Sequence, residues 1–363
     1  KSTTDIKPRR EIIGQERALR ALHVGLEMNH FGYNIFVTGL SGTGRTTTIK
    51  RMLQDFERTK GELRDHCYVH NFKNPDMPLA LSLPAGQGKA LKEDMENFIG
   101  DLLRNIPSVY ESQRYQQARK SLLQHFQERQ KSILQDFENK VKEKGFGLVQ
   151  VQVGNVMRPD IVPVVKENPT NLDQVEAMVQ KGEFPREQFE ALKETQNALE
   201  KQMSTVFREL HNIEKKVQQS LAELEEKIVM PVVDDGIQVL KATYDISKVQ
   251  EYLEEARRNI RENLERFRRQ QLPPEPEAQP EEAEEDNFLE FKVNVLVDNS
   301  ETDHVPIIIE TNPKYKNVFG IIEREVDRTG IWRTDFTRIK PGSLLRADGG
   351  YLVLNSLDTL VEQ

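Results

Sequence analysis

The chain has 363 residues, of which 37% are hydrophobic and 30% are charged, with a formal net charge of -8 and one cysteine, Cys67. This length and composition predict a substantial core and two or three domains, and the negative charge argues against a general nucleic-acid binder. A single cysteine excludes a disulfide framework within the chain, and no apolar run reaches the roughly 18 residues of a membrane span. We therefore expect a cytoplasmic protein without a signal peptide or a membrane segment.

Residues 1–86 have the pattern of the first part of an α/β domain. The pattern predicts a helix from Glu11 to Met28, a buried strand at Ile35–Val37, a helix from Thr46 to Phe56 and a strand at Cys67–Phe72.

A glycine-rich turn between the first strand and the second helix has the layout of a phosphate-binding loop, except that Arg45 stands where the lysine is expected. In this setting, backbone N–H groups and the helix N-terminus converge on a phosphate. Arginine is a wide planar fork, so it can pair with phosphate without taking the position of lysine between the β- and γ-phosphates. We predict binding of ATP or ADP with weak or absent hydrolysis; the alternative is a turn that binds nothing. The predicted loop residues are Gly39, Ser41, Gly42, Thr43, Gly44, Arg45, Thr46 and Thr47.

Residues 87–271 are predicted to be a large helical insertion. Three stretches carry apolar residues at three- and four-residue steps, from Tyr115 to Val141, from Phe189 to Ile228 and from Val249 to Phe267. Between the first two, residues 146–165 alternate like a β-hairpin whose turn is Gly154–Asn155. The apolar stripes are most simply the seams of a coiled-coil hairpin or small bundle, rather than a ligand site or a dimer zipper. We expect this block to form an arm that holds non-native chains loosely.

Residues 272–287 are rich in proline and glutamate and are predicted to be a solvated linker. Residues 288–363 return to an α/β pattern, with strands at Phe291–Val297 and Val305–Glu310 and a short helix after Asn312-Pro313. The helical block would then interrupt one domain built on a parallel sheet, which would bring the two halves of the phosphate site together.

The second half of such a site should be a buried strand that ends in Asp-Glu, which holds magnesium and polarises water. The candidate strand ends at Leu354, and the two acidic positions are occupied by Asn355 and Ser356. An amide is a poorer magnesium ligand than a carboxylate, and serine cannot act as a carboxylate base. Asp358 follows two residues late and receives no role. Together with Arg45, these departures favour a weakened or dead ATPase and weaken the case for Mg²⁺; Asn355 remains a predicted cofactor contact.

Four segments together resemble the AAA+-like region of bacterial Lon-related proteases: residues 12–16, 39–46, 312–323 and 342–354. The resemblance covers essentially the whole chain, and it implies an AAA+-like P-loop domain with a large helical insertion. It also implies that Ile13 and Gly14 lie on the adenine side of the nucleotide. In this family a serine protease domain with a Ser-Lys dyad follows, six subunits form a ring, and unfolded proteins are the substrates. We expect no peptidase activity from this chain by itself, because the dyad has no counterpart in it.

A substrate-gripping loop is predicted at Ile331 and Trp332, since ring-forming AAA+ modules carry an aromatic or bulky apolar residue on a pore-facing loop close to the second motif. Trp332 is the only tryptophan in the chain. The alternative is that it packs into a core, as tryptophan most often does.

Two functions from other classes compete with this interpretation. A DNA-repair or chromosome-structure ATPase also has a coiled coil between the two motif halves, but it would need Asp-Glu after the second strand and a far longer coiled coil. A non-catalytic scaffold built on a pseudo-ATPase module is compatible with both motif departures.

Overall fold

The computed structural model describes residues 14–28, 30, 32–40, 42–56, 63–153, 156–165, 168–269, 288–326, 330 and 332–361. The chain divides into two compact units, one comprising residues 1–99, 240–256 and 277–363 and the other residues 100–239 and 257–276. The described chain is rich in helix, and its strands lie in small sheets of two or three strands.

The helices in chain order are α1 (Glu16–Glu27), α2 (Arg45–Asp55), α3 (Gln87–Glu111), α4 (Gln113–Glu143), α5 (Leu172–Gln180), α6 (Arg186–Ile228), α7 (Met230–Thr243), α8 (Ser247–Glu262), α9 (Leu264–Arg269), α10 (Tyr315–Phe319), α11 (Ser343–Arg346) and α12 (Ser356–Val361). The strands are β1 (Arg64–Val69), β2 (Leu79–Pro84), β3 (Phe146–Val153), β4 (Val156–Val165), β5 (Asn168–Pro169), β6 (Val293–Val297), β7 (Ile307–Glu310), β8 (Gly320–Ile322), β9 (Glu325–Val326), β10 (Trp332–Arg333), β11 (Ile339–Pro341) and β12 (Tyr351–Leu354).

The first unit is organised around a three-stranded sheet in the order β2-β1-β6, in which β1 is antiparallel to both neighbours. Side chains alternate along β1, so that Asp65, Cys67 and Val69 are buried while the residues between them are half-buried. Since β1 precedes the long helices in sequence and β6 follows them, the chain on either side of the helical block meets in one sheet.

Asp65 is a fully buried carboxylate in β1. Its two oxygens accept the backbone N–H groups of Gly88 and Asn299, each at 2.8 Å. Gly88 lies in the first turn of α3, where unpaired N–H groups and the helix dipole favour a negative charge. The Asn299 side chain donates in turn to the Arg64 carbonyl at 2.8 Å. One carboxylate therefore joins β1 to the start of α3 and to the turn after β6.

Cys67 is sealed inside the same unit. Its residue is 1% exposed, and burial, with smaller contributions from the negative charges of Asp65 and Asp298, raises the pKa of the thiol to about 12. Because the thiolate is the reactive form, this cysteine is inert toward alkylating reagents at neutral pH while the unit is folded.

The sheet differs from the one expected. Within residues 32–40, all described, the chain forms no strand, and Ile35 and Phe36 are 40% and 75% exposed. Parallel pairing joins β7 and β12 instead, in register from Ile307 opposite Tyr351 to Glu310 opposite Leu354. A strand requires a neighbour for its backbone groups, and a three-residue apolar run does not specify one.

The second unit contains the two longest helices and a hairpin. α6 has 43 residues, which corresponds to about 65 Å at 1.5 Å per residue, and it contacts α4. The alternating stretch at 146–165 forms β3 and β4, an antiparallel pair with Phe146 opposite Pro163. A core cluster joins them and consists of Phe137, Val141, Phe146, Ile161 and Leu199, with Leu192, Met203 and Val206 packed against it.

The apolar stripes predicted from Tyr115 and Phe189 onward lie in α4 and α6, and the one from Val249 onward lies in α8 and α9. The predicted hairpin turn at Gly154–Asn155 and the predicted linker at 272–287 lie outside the described residues. In the part of the chain that the structure describes, no helix combines the length and the apolar character of a bilayer span.

Candidate functional site

The predicted phosphate loop leads directly into α2. Gly44 is the N-cap residue with φ of 75°, its carbonyl accepts the N–H of Thr48 at 2.9 Å, and Arg45 is the first helical residue. Gly42 also has a positive φ of 79°, and no heavy atom lies within 4 Å of a Cβ placed on either glycine. Both glycines therefore adopt a backbone conformation that favours glycine and have open space beside them, and the first N–H groups of α2 have no acceptor within the helix. This arrangement fits a phosphate.

Arg45 lies across the loop rather than away from it. Its Cδ is 3.4 Å from the position that a Gly39 Cβ would occupy, so a glycine at 39 leaves room for the arginine stem. Thr43 Oγ1 donates to the Leu40 carbonyl at 2.8 Å and stabilises the turn. Thr46 and Thr47, in the first turn of α2, are exposed. The guanidinium can therefore approach a phosphate bound at the loop.

The segment before the loop rests on α1. Ile35 contacts the helix at Gly25, where an added Cβ would lie 3.1 Å from the Ile35 Cδ1. Also on α1, the His23 ring meets edge-on the ring of Phe56, the residue that ends α2, with ring centroids 5.5 Å apart. Gly14, predicted to lie on the adenine side, is exposed just before α1. Of the remaining predicted residues, Ile13, Ser41 and Ile331 lie outside the described residues.

Asn355 is used as a helix cap. It follows β12, and its Oδ1 accepts the N–H of Leu357 at 3.2 Å while its Nδ2 donates to Asp358 Oδ2 at 2.6 Å. Its carbonyl also accepts the Thr359 hydroxyl at 2.7 Å. Since the amide oxygen already accepts the N–H that starts α12, Asn355 is a poorer magnesium ligand than a free carboxylate would be. Among the described residues, no group of three or more His, Cys, Asp or Glu side chains is arranged to hold a metal ion.

The two motif halves are connected through β7. α2 contacts β7, and β7 pairs with β12, whose end carries Asn355. At the same edge, Arg346 of α11 approaches Glu310 at 3.8 Å, and the Glu310 side chain is only 12% exposed. Sequence analysis gave no role to this pair, because nothing in the spacing of residues 310 and 346 indicates that they meet.

Trp332 is exposed. It begins β10, pairs with Val326 of β9 in an antiparallel ribbon, and the two side chains are 67% and 51% exposed. Gly330, in the turn of this ribbon, has φ of 83°. The core alternative for Trp332 is therefore wrong, since a packed tryptophan would be largely buried.

Further apolar side chains that sequence analysis did not select lie near this ribbon in sequence. Tyr315 and Phe319 of α10 are exposed, with ring centroids 4.8 Å apart, and Ile322 of β8 is also exposed. The four-residue step between the two aromatic residues was the available signal, because it places them on one side of a helix.

The two histidines of the first sheet region have structural partners. His66 Nε2 lies 2.7 Å from Asp348 Oδ2. The His70 ring meets the Phe72 ring edge-on at 4.9 Å, and burial lowers its pKa, partly offset by the charge of Glu290.

Two family models match parts of the chain. The Lon-like LonC helical domain matches residues 65–98, which hold β1 except its first residue, β2 and the first half of α3. The LonB-like AAA domain matches residues 303–363, which hold β7 to α12, including Trp332 and Asn355. The first match crosses the expected boundary between 86 and 87. No curated protein matches the chain.

Proposed function

We propose that this chain, which belongs to a Lon-related protein family, is the AAA+-like, substrate-handling region of a Lon-like serine protease for unfolded or damaged proteins. The observation that carries the proposal is the exposed ribbon of Trp332 and Val326 inside the segment that matches the LonB-like AAA domain. A broad aromatic face grips extended polypeptide without regard to sequence, because it needs only apolar or backbone contact.

We infer that the full-length protein carries a Ser-Lys dyad downstream of this region. We also infer that it forms a cytoplasmic homo-hexamer whose ribbons face a central pore. One buried, unreactive cysteine is compatible with a reducing compartment. The proposal requires no membrane or nucleic acid. We also propose that the fold is a P-loop domain interrupted by a coiled-coil insertion. The pairing of β1 with β6, which lie on either side of the helical block in sequence, supports this assignment.

Replacing Trp332 by alanine in the full-length protein should slow degradation of an unfolded protein substrate by on the order of tenfold, the factor that corresponds to about 1.4 kcal/mol. Cleavage of a short peptide should not change, because a short peptide reaches the dyad without being gripped. The thermal melt should also stay unchanged, since exposed positions usually contribute within about 0.5 kcal/mol. Degradation rates for both substrates and a melt by circular dichroism check this.

The matched control is Met77→Ala, which removes a large apolar side chain of similar exposure, 65% against 67% for Trp332, outside the matched AAA segment. An equal loss of degradation in both variants, or a Trp332→Ala variant with a wild-type degradation rate, would contradict the proposed grip.

We also propose that the loop from Gly39 to Thr47 binds the phosphates of ADP or ATP and that the site turns over ATP at no more than a background rate. Open space over Gly42 and Gly44 and the N-terminus of α2 support binding. The cap made by Asn355 supports the lack of turnover, because the residue at the metal position of the second motif is an amide that is already hydrogen-bonded to the backbone.

Calorimetric titration of the chain with ADP should show weak saturable binding, and Arg45→Glu should abolish it, because a carboxylate then faces the phosphate. Phosphate release at saturating Mg-ATP should stay at background. A turnover on the order of 1 per second, which is ordinary for an enzyme, would contradict the proposal that the site does not turn over ATP above background.

A further inference from the structure

The second unit contains a cavity of about 540 Å³ where α4 ends, β4 ends and α6 begins. Its apolar lining includes Phe146, Val164, Phe184 and Leu192. The volume lies within the roughly 300–1,000 Å³ of sites that bind ligands.

The inner part of the cavity lining is buried and its outer part is exposed. Phe146 is 2% exposed and belongs to the core cluster of this unit. The Val164 N–H donates to the Gly145 carbonyl at 2.9 Å, which fixes the end of β4 beside the end of α4. Val164 itself is 40% exposed, so part of the apolar lining faces solvent. Covering a preformed apolar surface of this kind with a bulky apolar side chain lowers the free energy, because it removes apolar area from water.

A positive charge borders the apolar lining. Lys144 caps the C-terminus of α4 and lines the cavity, and it makes no ion pair within the described residues. In contrast, Lys142 in the turn before it is paired with Glu138 at 2.7 Å. Charge complementarity therefore favours an occupant that carries a carboxylate next to its apolar group, and disfavours a cationic one.

We propose that this cavity binds an extended, non-native polypeptide through a bulky apolar side chain, with an adjacent acidic residue of that polypeptide paired to Lys144. The identity of the occupant as a substrate depends on the proposed function, whereas the binding itself does not. A site at this place would let the helical block hold an unfolded chain by a short apolar and acidic sequence.

The test uses the whole chain with Gln188→Cys, a position on the cavity lining that is exposed. Because Cys67 is buried and inert, a bimane fluorophore attaches at that position alone. The probe is a ten-residue synthetic peptide with Glu-Phe-Leu between Gly-Ser flanks. Titration should give a saturable blue shift of the bimane emission, because the bound peptide excludes water from the cavity mouth.

Two variants then separate the apolar and the charged contributions. Phe184→Ser should weaken the Kd for the peptide at least tenfold. Lys144→Glu should weaken it about fivefold, near the upper end for an exposed ion pair, and should make a Lys-Phe-Leu peptide bind better than Glu-Phe-Leu. The matched controls are Leu134→Ser, exposed on α4 away from the cavity, and Lys140→Glu, one turn before Lys144; both should leave the Kd within twofold.

Three results would overturn the proposal: no saturable shift, equal affinity in Phe184→Ser and Leu134→Ser, or equal binding of a peptide whose Phe and Leu are Ser. Helical circular dichroism must match the unsubstituted chain, and if Phe184→Ser fails this check, Val164→Ser takes its place with the same expected loss. If the peptide binds the cavity while a Trp332→Ala protein degrades its substrate normally, the cavity proposal is upheld and the proposed function is refuted. If the peptide does not bind while Trp332→Ala slows degradation, the cavity proposal is refuted and the proposed function is upheld.

Discussion

Replacing Gly342 by alanine should open the corner where α10 and β8 meet the turn between β11 and α11. A Cβ at residue 342 would lie 2.1 Å from the Val318 carbonyl oxygen and 2.5 Å from the Gly320 nitrogen. Both are backbone atoms, so no side-chain rotation relieves the contact, and we expect a loss of about 3 kcal/mol, the upper end for overpacking.

Native-state hydrogen exchange measures this loss locally, which suits a chain of two units better than one global unfolding value. Amides of β8 and β11 should exchange about 100-fold faster, the factor that corresponds to 3 kcal/mol. The control is Gly100→Ala, in the interior of α3, where an added Cβ has nothing within 4 Å and should stabilise the helix by about 1 kcal/mol. Unchanged exchange in Gly342→Ala would show that the two backbones can separate without cost.

Replacing Asp65 by alanine should destabilise the sheet β2-β1-β6 by about 3–5 kcal/mol, because it leaves the buried N–H groups of Gly88 and Asn299 without acceptors, at about 1–3 kcal/mol each, and leaves a small cavity. Exchange of the amides in β1, in β6 and in the first turn of α3 should accelerate together, since one carboxylate joins all three.

Asp65→Asn should destabilise the sheet less than Asp65→Ala does, because the amide keeps one acceptor oxygen. Its NH₂ group, however, faces an N–H donor, so part of the stability is still lost. The matched control is Asp298→Asn, at a mostly exposed aspartate that accepts the Ser300 N–H at 2.9 Å, where asparagine preserves the bond. Equal effects of Asp65→Asn and Asp298→Asn would contradict the assigned role of Asp65.

Local periodicity was sufficient to predict the long helices and the hairpin. The three- and four-residue steps from Tyr115 and from Phe189 onward indicate α4 and α6, and the two-residue alternation after Phe146 indicates β3 and β4. Both signals depend only on neighbouring residues, because a helix or a hairpin satisfies its backbone groups within a short stretch of chain.

Long-range pairing could not be predicted in the same way. β1 pairs with β6 on the far side of the helical block, and Asp65 of β1 accepts the N–H of Asn299, which is 234 positions away in sequence. A strand was expected at Ile35–Val37 because its residues are apolar, but whether such a run becomes a strand depends on a partner elsewhere.

The candidate site was predicted in part. The glycine spacing indicated the turn into α2, and the αL conformations of Gly42 and Gly44 agree with it. The substitution at Asn355 was visible, but its use as the cap of α12 depends on the carboxylate of Asp358, which sequence analysis had left without a role. For Trp332, the residue type alone favoured burial, and only the ribbon geometry distinguished exposure from packing.

A photocrosslink from residue 332 shows directly whether the exposed ribbon contacts the substrate. The full-length protein would carry p-benzoylphenylalanine in place of Trp332 and would be irradiated during degradation of a labelled unfolded protein, with the same replacement at Met77 as the matched exposed position. We expect a crosslink between the label and residue 332 that greatly exceeds the one from residue 77. Equal or absent crosslinking at the two positions would contradict the claim that this region handles the substrate.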